Sequence, residues 1–147
     1  MEKLPIDALE LDRQVCFALA VASRGVIGIY RPILEPLGLT HPQNLVMLAL
    51  WGEPPVRFRD LADMLRLDPP TLTPIVKRVE QSGLIERAPL EGDERTFTLA
   101  PTAEGRALRE QALNVPPAVI DRLGMPVERL MALRDELAAV IEAVDHG

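Results

Sequence analysis

Cys16 is the only cysteine among the 147 residues, and it is the one side chain suited to react with an oxidant. It lies in an apolar run, residues 15–22. A cysteine on an apolar helix face is most often a small core residue. Reactivity would need access and hydrogen-bond donors that stabilise the thiolate. Tyr30 and His41 are the candidate donors. Fourteen residues at ~1.5 Å rise put Tyr30 roughly 21 Å from Cys16 along one helix. Tyr30 therefore reaches Cys16 only from an antiparallel helix of a second chain. His41 follows a bend, where a lone histidine is more often an N-cap or a surface residue.

A second set of residues suits nucleic acid. With 100° per residue, Leu72, Ile75, Val76 and Val79 share one side of a helix. Thr73, Lys77, Arg78 and Gln81 lie opposite or on its flanks, and Thr71 sits in the first turn. Such side chains in a major groove reach base edges and phosphates. A solvated face is the ordinary explanation of that pattern in an arbitrary helix. The turn that follows, Glu91-Gly-Asp-Glu-Arg95, changes the balance. Arg95 suits insertion into a minor groove, with Asp93 placed to brace it.

Enzyme chemistry finds no support. There is no Ser-His-Asp order, glycine-rich phosphate loop or His/acid metal spacing. A single cysteine excludes an internal disulfide and a thiolate metal site. We therefore expect no cofactor, no metal and no catalytic activity.

The elements that must position these residues are mostly helices. A long helix from about residue 7 to 30 carries Cys16, Leu19, Ala20, Ser23, Ile27 and Tyr30 at three- and four-residue steps. Pro32 and Pro36 bend or end it, and Gly38 closes it. Residues 42–51 read as a central buried helix. Phe58, Leu61, Ala62 and Leu65 mark a short amphipathic helix, followed by a tight turn. Asp68 suits an N-cap and Pro69 the first helical position of the next helix, which stops at Gly83-Leu84. Residues 84–88 and 95–99 then form a β-hairpin. Helix, helix, hairpin is a winged helix-turn-helix. Beyond it, a helix over 102–113 is interrupted at Pro116-Pro117, and a long amphipathic helix runs from residue 126 to 144.

Bulk properties agree with one domain. The core must be built from Leu, Val, Ile and Ala, because only Trp51, Tyr30, Phe17, Phe58 and Phe97 are aromatic. The apolar content of 48% excludes a disordered chain. The uninterrupted apolar runs fall short of the ~18–20 residues a membrane span needs, and residues 1–7 lack a signal-peptide core. A soluble, cytoplasmic protein without a membrane partner is expected. Net charge is −6, with 16 basic and 22 acidic residues, and no third of the chain is basic. A few placed cations, helix amino ends and dimerisation would have to hold DNA.

The sequence resembles the MarR family of dimeric winged-helix regulators over nearly its whole length. The residues that carry the likeness are Leu67-Asp-Pro-Pro-Thr-Leu-Thr-Pro74, Lys77-Arg78-Val79-Glu80, Gly83-Leu84-Ile85, Asp93-Glu94-Arg95 and Leu99-Ala-Pro-Thr-Ala-Glu-Gly105. Gln14-Val-Cys-Phe-Ala-Leu-Ala-Val-Ala-Ser-Arg24, Tyr30-Arg-Pro32 and Leu39-Thr-His-Pro-Gln43 are similar to its organic-hydroperoxide-sensing branch. That resemblance implies that Cys16 is the sensing thiol, held as a thiolate by tyrosines of the partner subunit. Tyr30 matches one of those tyrosines, whereas Ala20 and His41 stand where two others are usual. Pro69-Pro70 replaces the usual Ser-Gly.

The expected architecture is mainly α with a small β-hairpin wing. Residues 53–102 form the winged helix-turn-helix, and residues 1–52 and 103–147 supply dimerisation helices. The expected function is a homodimeric repressor that binds double-stranded operator DNA through Thr71, Thr73, Lys77, Arg78, Gln81, Asp93 and Arg95. Oxidation of Cys16 by an organic hydroperoxide, with capping by a small thiol, would release it. Two other readings stay open: a repressor released by a small aromatic or lipid-like ligand, and a thiol peroxidase or adaptor without DNA binding.

Overall fold

Helix α1 (Ala8–Leu34) leads into a 3-10 turn (Glu35–Leu37), and α2 (His41–Leu50) follows. The computed structural model describes residues 8–90 and 93–146, with the backbone alone at residues 8, 9, 11–13 and 93–95. Strand β1 (Val56–Arg57), helices α3 (Phe58–Leu65) and α4 (Pro69–Gln81), and strands β2 (Ile85–Leu90) and β3 (Asp93–Pro101) make the winged unit. Helices α5 (Ala103–Ala112), α6 (Val115–Leu123) and α7 (Val127–Asp145) complete the chain.

α1 continues four residues past Tyr30, through Pro32. A proline inside a helix costs about 3 kcal/mol. Burial of Leu34, which is fully enclosed in the core, offsets much of that cost. Gly38 then takes the left-handed conformation (φ 72°) and reverses the chain. Thr40, not His41, caps α2. Its hydroxyl accepts from the Gln43 N–H at 3.3 Å, and the Gln43 side chain accepts from the Thr40 N–H at 3.1 Å.

α2 sits at the centre, packed against α1, α3, α4 and β3. Val46, Met47 and Leu50 meet Leu61, Leu72, Val76, Val79 and Leu99 in one core. α4 opens at Asp68 and Pro69, as its sequence suggests. It closes with Gly83 at φ 80°, the Leu84 N–H donating to the Val79 carbonyl and the Gly83 N–H to the Glu80 carbonyl.

The sheet has three antiparallel strands in the order β1–β3–β2. β1 is an addition to the expected hairpin. Its two residues are held by register, Val56 opposite Leu99 and Arg57 opposite Thr98, rather than by any pattern of their own. The wing is tied to α5 at its base. Thr102 accepts from the Gly105 N–H and donates to the Gly83 carbonyl at 2.6 Å, while Trp51 Nε1 donates to the Gly105 carbonyl at 2.9 Å. A Cβ on Gly105 would lie 2.0 Å from the Leu84 carbonyl oxygen, so only glycine fits.

Pro116 and Pro117 do not simply interrupt helix. They fall in the first turn of α6, where a missing N–H leaves nothing unpaired. α6 packs on α1, with Val115 and Val119 buried, and Gly124 ends it with φ 66°. α7 differs from all of these. None of its described residues is buried, and its far end is joined to the turn after α3 by an Arg66–Asp145 ion pair.

A helical stretch, Gln14–Leu37, is by length and composition apolar enough to cross a membrane, with mean hydropathy 1.3. Short uninterrupted runs hide this property, because Arg24 and Arg31 split them.

Candidate functional site

Two surfaces hold the candidate residues. On the first, α4 turns Leu72, Val76 and Val79 into the core and leaves Thr71, Thr73, Lys77, Arg78 and Gln81 exposed. Both threonine hydroxyls are engaged locally. Thr71 donates to Asp68 Oδ1 at 2.6 Å, and Thr73 donates to the Pro69 carbonyl at 2.8 Å. The Thr71 hydroxyl holds the Asp68 carboxyl below the usual carboxylate range. Asp68 thus occupies the N-cap position but makes no side-chain bond to a helix N–H. Pro74 lacks the N–H that would bond the Pro70 carbonyl, so α4 is one hydrogen bond short on its outward side.

Among the described residues, Lys77 and Arg78 take part in no ion pair, which leaves both charges available to a ligand. Glu80 is different. It accepts from Arg87 Nε at 2.9 Å and from Arg87 Nη2, and the guanidinium lies 4.1 Å over the Phe97 ring. Glu80 raises the Arg87 pKa further above its ordinary value. This tether links the exposed helix to β2, the first strand of the hairpin. Neither residue was singled out by sequence, because a contact between a helix and a strand leaves no periodic signal. Asp93 and Arg95 lie in β3, but their side chains fall outside those described, as do residues 91 and 92 altogether.

The second surface is the outer face of α1. Cys16 is exposed, and so are its neighbours Val15 and Phe17. Tyr30 and His41 are brought together, ring centroids 4.9 Å apart in an edge-on contact at 66°. Partial burial pushes the His41 imidazole below the ordinary histidine range, so the ring is neutral at pH 7. Cys16 is not joined to that pair within the chain, since ~21 Å of helix separates it from Tyr30. Ala20 is exposed between them. A groove of about 450 Å³ runs beside His41, walled by Ile27, Arg31, Glu35 and Leu39. Among the described residues, no group of histidine, cysteine and acidic side chains could hold a metal.

Comparison with known proteins agrees with this geometry. The MarR family profile matches residues 39–97. The organic hydroperoxide resistance transcriptional regulator of Bacillus subtilis is 36% identical over 138 residues, 94% of each chain. The structure of reduced AbfR from Staphylococcus epidermidis bound to DNA superposes with a TM-score of 0.77 at 30% identity, covering 92% of this chain and 95% of that one. CouR from Rhodococcus jostii bound to p-coumaroyl-CoA gives 0.73 at 27% identity, with 86% and 90% covered. The Bacillus subtilis relative is a transcriptional regulator by name, and AbfR is bound to DNA. The chain belongs to the MarR family of winged-helix, DNA-binding transcriptional regulators.

Proposed function

We propose that the protein is a cytoplasmic, homodimeric repressor that releases its operator when an organic hydroperoxide oxidises Cys16. The observation that carries this reading is the placement of exposed Cys16 and partly buried Tyr30, which touches His41 of α2, on one side of α1. Successive residues turn by 100°, so Cys16 and Tyr30 differ by only about 40° around the helix. An antiparallel α1 of a second copy would set Tyr30 and His41 of one subunit against Cys16 of the other. The names of the Bacillus subtilis relative and of DNA-bound reduced AbfR support it.

The chemistry balances with one cysteine. The Cys16 thiolate attacks the peroxide, an S–O bond forms and the O–O bond breaks. The leaving alkoxide takes a proton and departs as the alcohol, while sulfur is oxidised to sulfenic acid. With no other thiol in the chain, a small cellular thiol condenses with it and water leaves. The adduct adds bulk where two subunits would pack and moves the winged units out of groove spacing. In this reading Thr71, Thr73, Lys77, Arg78 and Gln81 contact the major groove and its backbone. Arg95, oriented by Asp93, enters the minor groove. Residues 53–102 read DNA, and helices from 1–52 and 103–147 form the dimer.

The test is operator release. Fluorescence anisotropy of labelled operator should fall when cumene hydroperoxide and a small thiol are added to the parent, and hold steady with Cys16→Ser. Equal release by both proteins would favour a second reading, which the groove beside His41 and Arg31 supports. There a small aromatic or lipid-like ligand would drive release and Cys16 would be inert.

A further inference from the structure

We propose that Arg57 and Arg59 clamp the sugar-phosphate strand that passes between the groove read by α4 and the groove entered by the wing. The proposal rests on the groove assignment above and adds two residues that lie outside both the recognition helix and the wing. A helix in a major groove and a hairpin in the adjacent minor groove straddle one sugar-phosphate strand. That strand must cross the space between them. Here the space is a cleft of about 430 Å³, with Pro69, the first residue of α4, on one side and Thr96 and Phe97 of β3 on the other. Its remaining wall carries Arg57 and Arg59, at the junction of β1 and α3.

The floor of the cleft is fixed, because the rings of Phe58 and Phe97 pack 5.2 Å apart. Both arginines are exposed, and neither joins an ion pair among the described residues. Other arginines nearby are already engaged, Arg66 by Asp145 and Arg87 by Glu80. Residues 57–102 hold seven basic and eight acidic side chains, so no general positive field draws DNA to this region. Affinity for the backbone must come from the few cations left unpaired at the right place. A guanidinium, with its planar fork of donors, suits a phosphate better than an ammonium does. Asp60 lines the same cleft and opposes the phosphate, which gives the proposal a test of opposite sign.

A random-sequence duplex is the probe, since a backbone clamp needs no operator. Its affinity is measured against salt concentration for Arg57→Gln, Arg59→Gln, Asp60→Asn and Arg59→Lys, with circular dichroism to confirm the fold. A dimer loses two phosphate contacts per arginine removed, so each glutamine variant should flatten the log–log salt slope by about 1–2. Operator and random duplex should weaken by the same factor. Asp60→Asn should tighten binding, and Arg59→Lys should keep the parent's slope. Parental slopes in both glutamine variants would overturn the clamp. If Lys77→Ala weakens binding in that same experiment, the assignment of α4 survives the loss of the clamp. If Lys77→Ala and Arg78→Ala bind as the parent does while the two glutamine variants do not, the arginines hold phosphate but the α4 assignment fails, and the clamp's place between the two grooves fails with it.

Discussion

The winged unit and the two outermost helices are built on opposite terms. Among the described residues, the buried hydrophobic core runs from Leu34 to Val119, and the central side chains are fully enclosed. α7 places none of its described residues inside, and Val15, Phe17 and Leu19 of α1 also face outward. Yet α7 is no less apolar in kind. Val127, Met131, Leu133, Val140, Ile141 and Val144 are all exposed. Apolar surface on that scale in a regulator is surface that another molecule covers. The winged unit is therefore finished by its own chain, and in the proposed dimer a second copy finishes the outer helices.

Removing the outer helix should have the largest effect. Truncation before Pro126 should leave a folded monomer by light scattering. Its DNA affinity should fall by roughly 10²–10⁴, because the second half-site is no longer tethered to the first. A truncated chain that still dimerised would erase the contrast between the regions. Single core and outer-helix changes sharpen it further. Leu61→Ala in the core should cost about 2–5 kcal/mol at any protein concentration. Ile141→Ala should instead destabilise in a way that vanishes as concentration rises, read from thermal melts over a dilution series.

The coupling between helix and wing should matter less. Glu80→Gln removes the charge that holds Arg87, a partly exposed contact worth at most about 1 kcal/mol. Stability should barely change, while affinity for operator drops several-fold because the wing loses its tether to α4. Unchanged operator binding would show that Phe97 alone sets the wing.

The smallest effect concerns protons. Burial lowers the His41 pKa in the folded chain below its unfolded value. Its stabilising contribution is full above the unfolded value near 6.5 and is lost as pH falls through the folded value. His41→Gln should therefore show a shallower loss of melting temperature between pH 7.5 and pH 5 than the parent. A steeper loss would mean that His41 is stabilised in its charged form.

Local chemistry made much of the winged unit legible. Asp68-Pro69 and Gly83-Leu84 announce where α4 starts and stops, because caps are written in adjacent residues. Three features escaped, two because distant contacts decide them and one, α6, because prolines in a first turn read as an interruption. α1 runs through Pro32 because Leu34 has a core to enter. α6 forms behind two prolines because they occupy its first turn. β1 exists because β3 offers it a register. The same holds at the surface. Cys16, Tyr30 and His41 were identifiable by residue type, but the edge-on Tyr30–His41 contact depends on how α1 meets α2. The Glu80–Arg87 tether and the arginines beside Pro69 belong to the packing of helices on the sheet, which no single stretch of sequence encodes.

The central claim is that the sensing thiol is completed by the other subunit, and mixed dimers test it most directly. One dimer pairs a Cys16→Ser subunit with a Tyr30→Phe subunit, so the sole thiol faces an intact Tyr30 across the interface. The other pairs a doubly substituted Cys16→Ser, Tyr30→Phe subunit with a parental one, so the thiol shares its own chain with Tyr30 but faces phenylalanine. The rate of Cys16 oxidation by cumene hydroperoxide is read by mass spectrometry in each. The account predicts parental speed in the first dimer and slow oxidation in the second. The reverse order, or equal rates in both, would contradict a site shared between subunits.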